Sequence, residues 1–140
     1  MVLCLKCGEV KPESGFTKEA RRPNGLAPYC RPCKQGYDRE RKLLNRFGLT
    51  AEDYERVLTE QGHVCAICGE IERVVDRRGK IRHLSVDHDH ETGEVRGLLC
   101  FTCNVGIGAF KERRDLVEAA AHYLAVSECR GTLGQIDNGR

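Results

Sequence analysis

The sequence predicts a small α+β fold that depends on bound metal ions as much as on an apolar core. Three observations predict it: most cysteines fall into C-x2-C pairs, a strand–turn–strand–helix pattern runs through the second half of the chain, and helical periodicity precedes and follows that pattern. At 140 residues the chain forms one domain or two very small ones. Units of that size bury too little surface to be comfortably stable unaided.

The cysteine pairs have the spacing of structural zinc sites. A C-x2-C turn brings two sulfurs to one side, and two such turns complete a tetrahedral four-thiolate site. Sequential pairing predicts two zinc ions, one held by Cys4, Cys7, Cys30 and Cys33 and the other by Cys65, Cys68, Cys100 and Cys103. Redox chemistry is the alternative, but no thioredoxin-like βαβ pattern surrounds the pairs. Cys129 is left over, and its default interpretation is a buried or incidental thiol.

Local signals predict two helices between the cysteine groups. An apolar stripe in a basic segment ends at Phe47, and Gly48 supplies a stop. Thr50 begins the second helix with Asp53 three residues later, which is close to a capping box. Gln61 and the glycine after it end this helix.

Two short strands and a helix are predicted further along. Residues 81–86, "IRHLSV", alternate imperfectly as a strand that ends at Asp87, and "VRGLLC" forms its partner after the turn "ETGE". A helix is expected from Cys103 onward. A last amphipathic helix follows Asp115, and the tail from Gly131 is interpreted as frayed.

Polar side chains gather where these elements meet. Asp87, His88 and His90 leave the end of the first strand, and Asn104 lies at the start of the helix. Carboxylate and amide oxygens suit hard ions such as Mg²⁺, whereas thiolates suit softer ones, so this segment indicates a second kind of metal site. A neutral imidazole can accept the proton of an attacking water. Capping of the helix is the alternative role for Asn104.

Charge is distributed unevenly. Residues 1–50 carry 11 Lys and Arg against 5 Asp and Glu, whereas the remainder carries 12 against 16. A phosphate-binding face and an ordinary solvated surface both account for this bias. Neither a signal peptide nor a membrane span is evident, and the many thiols favour a reducing compartment, so a cytoplasmic location is expected.

The motifs "CAICG" and "VDHDHETGEVRGLLCFTCN" resemble the phage recombination endonuclease VII family, a branch of the HNH, His-Me finger or ββα-metal nucleases. The resemblance covers roughly residues 50–113. It implies a ββα-metal nuclease core at 49–113. The cysteine spacing and the charge add a four-cysteine zinc module with a basic helix at 1–48, and the helical periodicity adds a C-terminal helix and tail at 114–140.

Carried over to this sequence, the resemblance implies that Asp87 and Asn104 bind a catalytic Mg²⁺ or Mn²⁺, that His88 activates water and that His90 assists at the phosphate. Asp89 is not expected to be a ligand. Arg96 has two open interpretations, a phosphate contact or a structural ion pair. Three further histidines are interpreted as solvated or hydrogen-bonded: His63, His83 and His122.

The resulting hypothesis is a metal-dependent DNA endonuclease acting on duplex or branched DNA, with a homodimer expected from the resemblance. A non-catalytic zinc-dependent DNA-binding protein is the alternative, and a zinc-held interaction module is a third. Members that resolve four-way junctions carry further C-terminal helices that are not evident here, so junction resolution stays open.

Overall fold

The computed structural model describes the backbone of residues 1–130 and the side chains of residues 1–126. The predicted frayed tail from Gly131 and the side chain of Cys129 therefore lie outside the described residues. Within the described part, short strands alternate with helices in this order: β1 (Val2–Leu3), β2 (Val10–Lys11), β3 (Phe16–Lys18), β4 (Leu26–Cys30), α1 (Arg31–Phe47), α2 (Ala51–Glu60), β5 (Ser85–His88), β6 (Val95–Leu99), α3 (Phe101–Ala109) and α4 (Arg114–Arg130).

Strands pair two by two, as β1–β2, β3–β4 and β5–β6. The first two pairs are antiparallel, and Val2 lies opposite Lys11 in one and Phe16 opposite Cys30 in the other. The α+β prediction is confirmed, and β5, β6 and α3 form the expected strand–turn–strand–helix segment. In the described part of the chain, no helix combines the length and apolar character needed to cross a membrane.

The chain divides into two compact units. One comprises Met1–Glu60 together with His88–Arg96, and the other comprises Gln61–Asp87 and the chain from Gly97 onward. Each unit contains one complete group of four cysteines.

The first unit has a small core that is built around cysteines. Cys4 and Cys30 are fully buried beside Phe16, and a ring of partly buried side chains packs against them: Val2, Leu26, Tyr29 and Cys33. A core of this size contributes little hydrophobic free energy. Metal binding at the cysteines is therefore expected to supply much of the stability of this unit.

Helix α1 ends, and helix α2 begins, at the residues that the sequence predicts. Gly48 takes the left-handed conformation with φ of 66°, and its N–H donates to Leu44 O at 2.9 Å. Thr50 N–H donates to Asp53 Oδ2 at 3.1 Å, and Asp53 N–H donates to Thr50 Oγ1 at 3.1 Å. The capping box is thus confirmed, and it fixes the start of α2.

In the second unit, β6 is the most buried element. Leu98 is 0% and Leu99 3% exposed. Gln61, just after α2, holds this strand through its carboxamide, because Nε2 donates to Leu98 O at 2.9 Å and Leu98 N–H donates to Oε1 at 2.8 Å. A side chain therefore pairs with strand backbone as a neighbouring strand would.

Strand β5 begins later than predicted. The expected strand spans 81–86, whereas β5 spans Ser85–His88. Ile81 instead forms an isolated bridge with Val75, closed by a turn in which Asp76 Oδ1 accepts from the Arg78 and Lys80 backbone N–H groups. Local turn chemistry prevails over the weak alternation of this segment.

The two four-cysteine modules are built alike. Each starts with C-x2-C-G-E, in which the glycine has a positive φ: 72° at Gly8 and 71° at Gly69. Each ends at a strand–helix junction whose N-cap is a cysteine, Cys30 for α1 and Cys100 for α3. The same local architecture therefore occurs twice, and the differences between its copies are informative about function.

Candidate metal centres and active site

The first cysteine cluster lies in the first unit. The sulfurs of Cys4, Cys7, Cys30 and Cys33 all lie within 4.8 Å of one another. The first pair sits in a turn closed by the Gly8 N–H, which donates to Cys4 O at 2.9 Å. Cys30 N–H donates to Cys4 Sγ at 3.3 Å. The predicted sequential grouping is observed.

The second cluster, in the second unit, has the same form. The sulfurs of Cys65, Cys68, Cys100 and Cys103 also lie within 4.8 Å of one another. The Sγ atoms of Cys68 and Cys100 are 3.8 Å apart. A tetrahedral ion with bonds of about 2.3 Å to sulfur requires sulfurs about 3.8 Å apart. The cluster therefore fits a tetrahedral thiolate site.

Electrostatics at both clusters favour a cation. Burial opposes ionisation of Cys4 and Cys65, but backbone N–H donors outweigh it, and the pKa of each thiol falls to about 6. Hydrogen bonding to Cys30 and burial raise the pKa of Cys33 to about 12, and burial raises that of Cys103. Four crowded sulfurs cannot all be thiolates without a neighbouring positive charge, which a divalent ion would supply.

The polar residues of the predicted active site lie on β5, in the turn after it and on α3. Asp87 and His88 are the last two residues of β5 and are half-buried. His90 is exposed in the turn. Asn104 is half-buried in the first turn of α3, where its N–H donates to Cys100 O at 3.0 Å. Because Cys100 occupies the N-cap, Asn104 does not cap this helix.

The imidazole of His88 contacts two other rings of the first unit. Its centroid is 5.1 Å from that of Phe47 at an interplanar angle of 68°, an edge-to-face arrangement. His90 lies 4.7 Å away at 46°. The structure therefore brings the two histidines together, and it adds Phe47, which sequence reasoning assigned only to the apolar stripe of a helix.

Asp89 is used within the hairpin turn. Its Oδ1 accepts from Glu91 N–H at 2.8 Å and Thr92 N–H at 2.9 Å, and these donors hold the pKa of the carboxyl below its usual range. Arg96 lies 3.8 Å from its Oδ2. The structural ion pair interpreted for Arg96 is thus present, and its contact with phosphate stays a prediction.

The sequence did not predict two side-chain-to-backbone interactions of the second unit. Glu72 is only 8% exposed and accepts hydrogen bonds from three backbone N–H groups. Gln61 holds β6 through the two hydrogen bonds of its carboxamide with Leu98. Neither stands out in the sequence, because single polar residues in a loop carry no periodic signal. Three histidines were interpreted as solvated or hydrogen-bonded, and all three are exposed: His63, His83 and His122.

Comparison with known proteins gives phage relatives. The chain is 42% identical to the "Gene 59 protein" of Mycobacterium phage D29 over 86 residues, which cover 61% of this chain and 48% of the relative. It is 34% identical to the "Gene 59 protein" of Mycobacterium phage L5 over 117 residues, covering 78% of this chain and 66% of the relative. The chain thus spans about half to two thirds of the length of these curated relatives.

The chain is also similar to a solved structure, that of the ββα-Me type II restriction endonuclease Hpy99I. The two sequences are 28% identical, and the match covers 88% of this chain and 64% of that one. Its TM-score of 0.36 is too low to show a common overall fold. The model of the recombination endonuclease VII family matches residues 40–126, which include the second cysteine cluster, β5, β6 and α3. The chain therefore belongs to the recombination endonuclease VII family.

Proposed function

We propose that this protein is a metal-dependent DNA endonuclease that hydrolyses phosphodiester bonds. One observation carries the proposal: the segment matched by the family contains two oxygen-donor side chains and an imidazole, on β5 and in the first turn of α3. The second four-cysteine cluster includes Cys100 and Cys103, which lie on either side of the start of α3. A rigid frame that presents polar side chains is the arrangement that catalysis requires.

The two cysteine clusters are proposed to hold structural zinc. All-sulfur donors at tetrahedral separations fit zinc and leave no open position for a substrate. Structural zinc contributes about 10–16 kcal/mol of apparent binding free energy in small zinc-finger peptides. Zinc in this role holds the fold and takes no part in the reaction.

Asp87 and Asn104 are proposed to hold the catalytic ion, Mg²⁺ or Mn²⁺. Their donor chemistry fits, because a carboxylate and a carboxamide offer the hard oxygen ligands that these ions take. Both side chains are half-buried and belong to the same unit. When bound, the ion would stabilise negative charge developing at the phosphate and at the leaving oxygen.

His88 is the proposed general base. Its imidazole takes a proton from water, whose oxygen then forms a bond to phosphorus while the bond to the 3′ oxygen breaks. The departing 3′ oxygen takes a proton from solvent, which leaves 5′-phosphate and 3′-hydroxyl ends. General bases of this kind contribute about 10²- to 10⁴-fold in rate. The rings of Phe47 and His90 restrict the orientation of this imidazole. His90, exposed beside it, is proposed to donate to a phosphate oxygen.

The basic segment of residues 1–50 is the proposed contact surface for the sugar-phosphate backbone. Helix α1 carries exposed Arg41, Lys42 and Arg46 in its second half, and Phe47 at its end touches His88. Such contacts bind DNA without reading its sequence, and the logarithm of affinity falls by about 0.9 per phosphate contact for each tenfold rise in salt. Duplex or branched DNA is the proposed substrate, in the cytoplasm of the host cell, and a homodimer is the proposed assembly.

Cleavage of supercoiled plasmid tests this function. The wild type with Mg²⁺ or Mn²⁺ is expected to convert the plasmid to nicked or linear forms, and His88→Ala is expected to lower the rate by at least about 100-fold. His122→Ala is the matched control, because His122 is exposed on α4. Undiminished cleavage by His88→Ala would overturn the role of this histidine.

A DNA-binding measurement beside the cleavage assay separates the two non-catalytic alternatives from this function. Salt-sensitive DNA binding by the wild type without any metal-dependent cleavage would identify a non-catalytic zinc-dependent DNA-binding protein. Absence of DNA binding at low salt would leave a zinc-held interaction module.

A further inference from the structure

We infer that Glu72 is a positioning residue that sets the metal-binding side chain of Asn104 by anchoring the first turn of α3. The inference rests on the proposed function and goes beyond it, because Glu72 lies outside the polar set on β5 and α3. Its side chain is proposed to act through the backbone of the helix rather than on substrate or metal.

The carboxylate of Glu72 is fully engaged with backbone donors. Oε1 accepts from the N–H groups of Arg73 and Val74, each at 2.9 Å, and Oε2 accepts from Phe101 N–H at 2.7 Å. The residue is 8% exposed. A buried carboxylate is costly unless hydrogen bonds compensate for its lost hydration, and here both oxygens have donors.

Phe101 is the first residue of α3, so its N–H has no acceptor within the helix. Glu72 supplies that acceptor and places negative charge at the positive end of the helix dipole. The sulfurs of Cys100 and Cys103 fix two points of this turn in the zinc site. Two points leave rotation about the line that joins them, and the bond from Phe101 provides a third.

Asn104 lies three residues beyond Phe101, on the turn that these three points define. Rotation or fraying of the turn would displace its carboxamide directly. Metal ligands depend on such outer partners, whose loss typically lowers metal affinity by about 10- to 100-fold.

The first module shows that the cysteine frame does not itself require this carboxylate. Glu72 follows the second cysteine of its C-x2-C pair by four residues, and the corresponding residue in the first module is Lys11. Lys11 pairs with Glu9 at 2.8 Å and, as a lysine, offers no acceptor to the first N–H of α1. The acceptor occurs in the copy whose helix carries the proposed metal ligand.

Glu72→Gln tests the inference, with Glu70→Gln as the matched control. The variant keeps the shape but replaces one acceptor oxygen with an NH₂ group that faces a backbone donor. Glu70 lies two residues earlier, is exposed and pairs only at the surface with Arg73. Three quantities are measured for each protein: zinc content, the affinity for Mn²⁺ by electron paramagnetic resonance without DNA, and the Mn²⁺ dependence of cleavage.

The expected result is that Glu72→Gln retains two zinc ions per chain and binds Mn²⁺ about 10- to 100-fold more weakly. Excess Mn²⁺ is expected to restore much of its cleavage rate, and Glu70→Gln is expected to behave as the wild type. In an Asn104→Ala background, Glu72→Gln should produce no further loss of affinity, because both changes act on one ligand.

Unchanged Mn²⁺ affinity in zinc-loaded Glu72→Gln, or full additivity with Asn104→Ala, would overturn the inference. Should the Gln variant purify without zinc, Glu72→Asp replaces it in the same measurement with the same two outcomes. Failure of the wild type itself to bind Mn²⁺ or cleave DNA would instead refute the proposed function.

Discussion

Replacing Gln61 with alanine is expected to destabilise the second unit by an amount that follows from its hydrogen bonds. Leu98 N–H donates to Gln61 Oε1 at 2.8 Å, and Leu98 is 0% exposed. Its N–H would lose its acceptor with no access to water, which costs about 1–3 kcal/mol. Gln61 therefore contributes to stability mainly because it is the acceptor for the buried Leu98 N–H, which the truncation would leave without a hydrogen bond.

The other bonds of Gln61 add less. Leu98 O would keep its bond from Ala66 N–H at 3.1 Å, so losing the Gln61 Nε2 donor costs about 0.5–1.5 kcal/mol. Val64 O, the third partner, belongs to a half-buried residue that water can reach. The total loss in the free energy of unfolding is about 1.5–4.5 kcal/mol.

Urea denaturation at a buffered zinc concentration measures this loss, because zinc binding shifts the apparent stability and must be held constant. Gln35→Ala is the matched control, since Gln35 is exposed on α1 and its truncation should change stability by less than about 0.5 kcal/mol. If Gln61→Ala lowers stability no more than Gln35→Ala does, the reasoning about the stranded Leu98 N–H is wrong.

Two further predictions concern Phe47 and the start of α2. Phe47→Ala removes an edge-to-face contact with His88 worth about 0.5–1.5 kcal/mol, so the plasmid cleavage rate should fall about 2- to 10-fold with KM for DNA unchanged. Leu44→Ala, 55% exposed on the same helix, should cleave as the wild type, and equal rates for both variants would refute a role for the ring contact. Thr50→Ala should lower stability by about 1 kcal/mol in the same denaturation assay. The N–H of Thr50 holds the pKa of Asp53 below its usual value, so the capping contribution is present above the unfolded-state pKa of about 3.9 and is lost as pH falls through the lower folded pKa. A titration midpoint of the Thr50 amide signal above about 3.9 in nuclear magnetic resonance would contradict this sign.

The cysteine clusters were predictable from sequence because their geometry is local. A C-x2-C turn fixes two sulfurs on its own, and a strand–helix junction fixes the other two, so spacing alone identified both groups. The C-x2-C-G-E repeat is a further local signal in the sequence, and it indicates that the two modules share one architecture.

The end of α1 and the start of α2 were predictable for the same reason, whereas α3 begins at Phe101 and not at the expected Cys103. Gly48 and the capping box of Thr50 and Asp53 act within one turn of the chain, and each was found as expected. The start of β5 was missed because residues 81–84 have weak alternation and the turn at Asp76 engages Ile81 instead. There, two local preferences competed and the sequence pattern did not rank them.

The sequence by itself determined the two groups of four cysteines, the strand–turn–strand–helix segment and the family to which the chain belongs, since all of these depend on spacing within a few residues or on a motif. Tertiary structure alone decided three contacts: Phe47 against His88, Gln61 with Leu98, and Glu72 with Phe101. Each joins residues 29 to 41 positions apart, and folding brings such residues together through packing that no local pattern encodes.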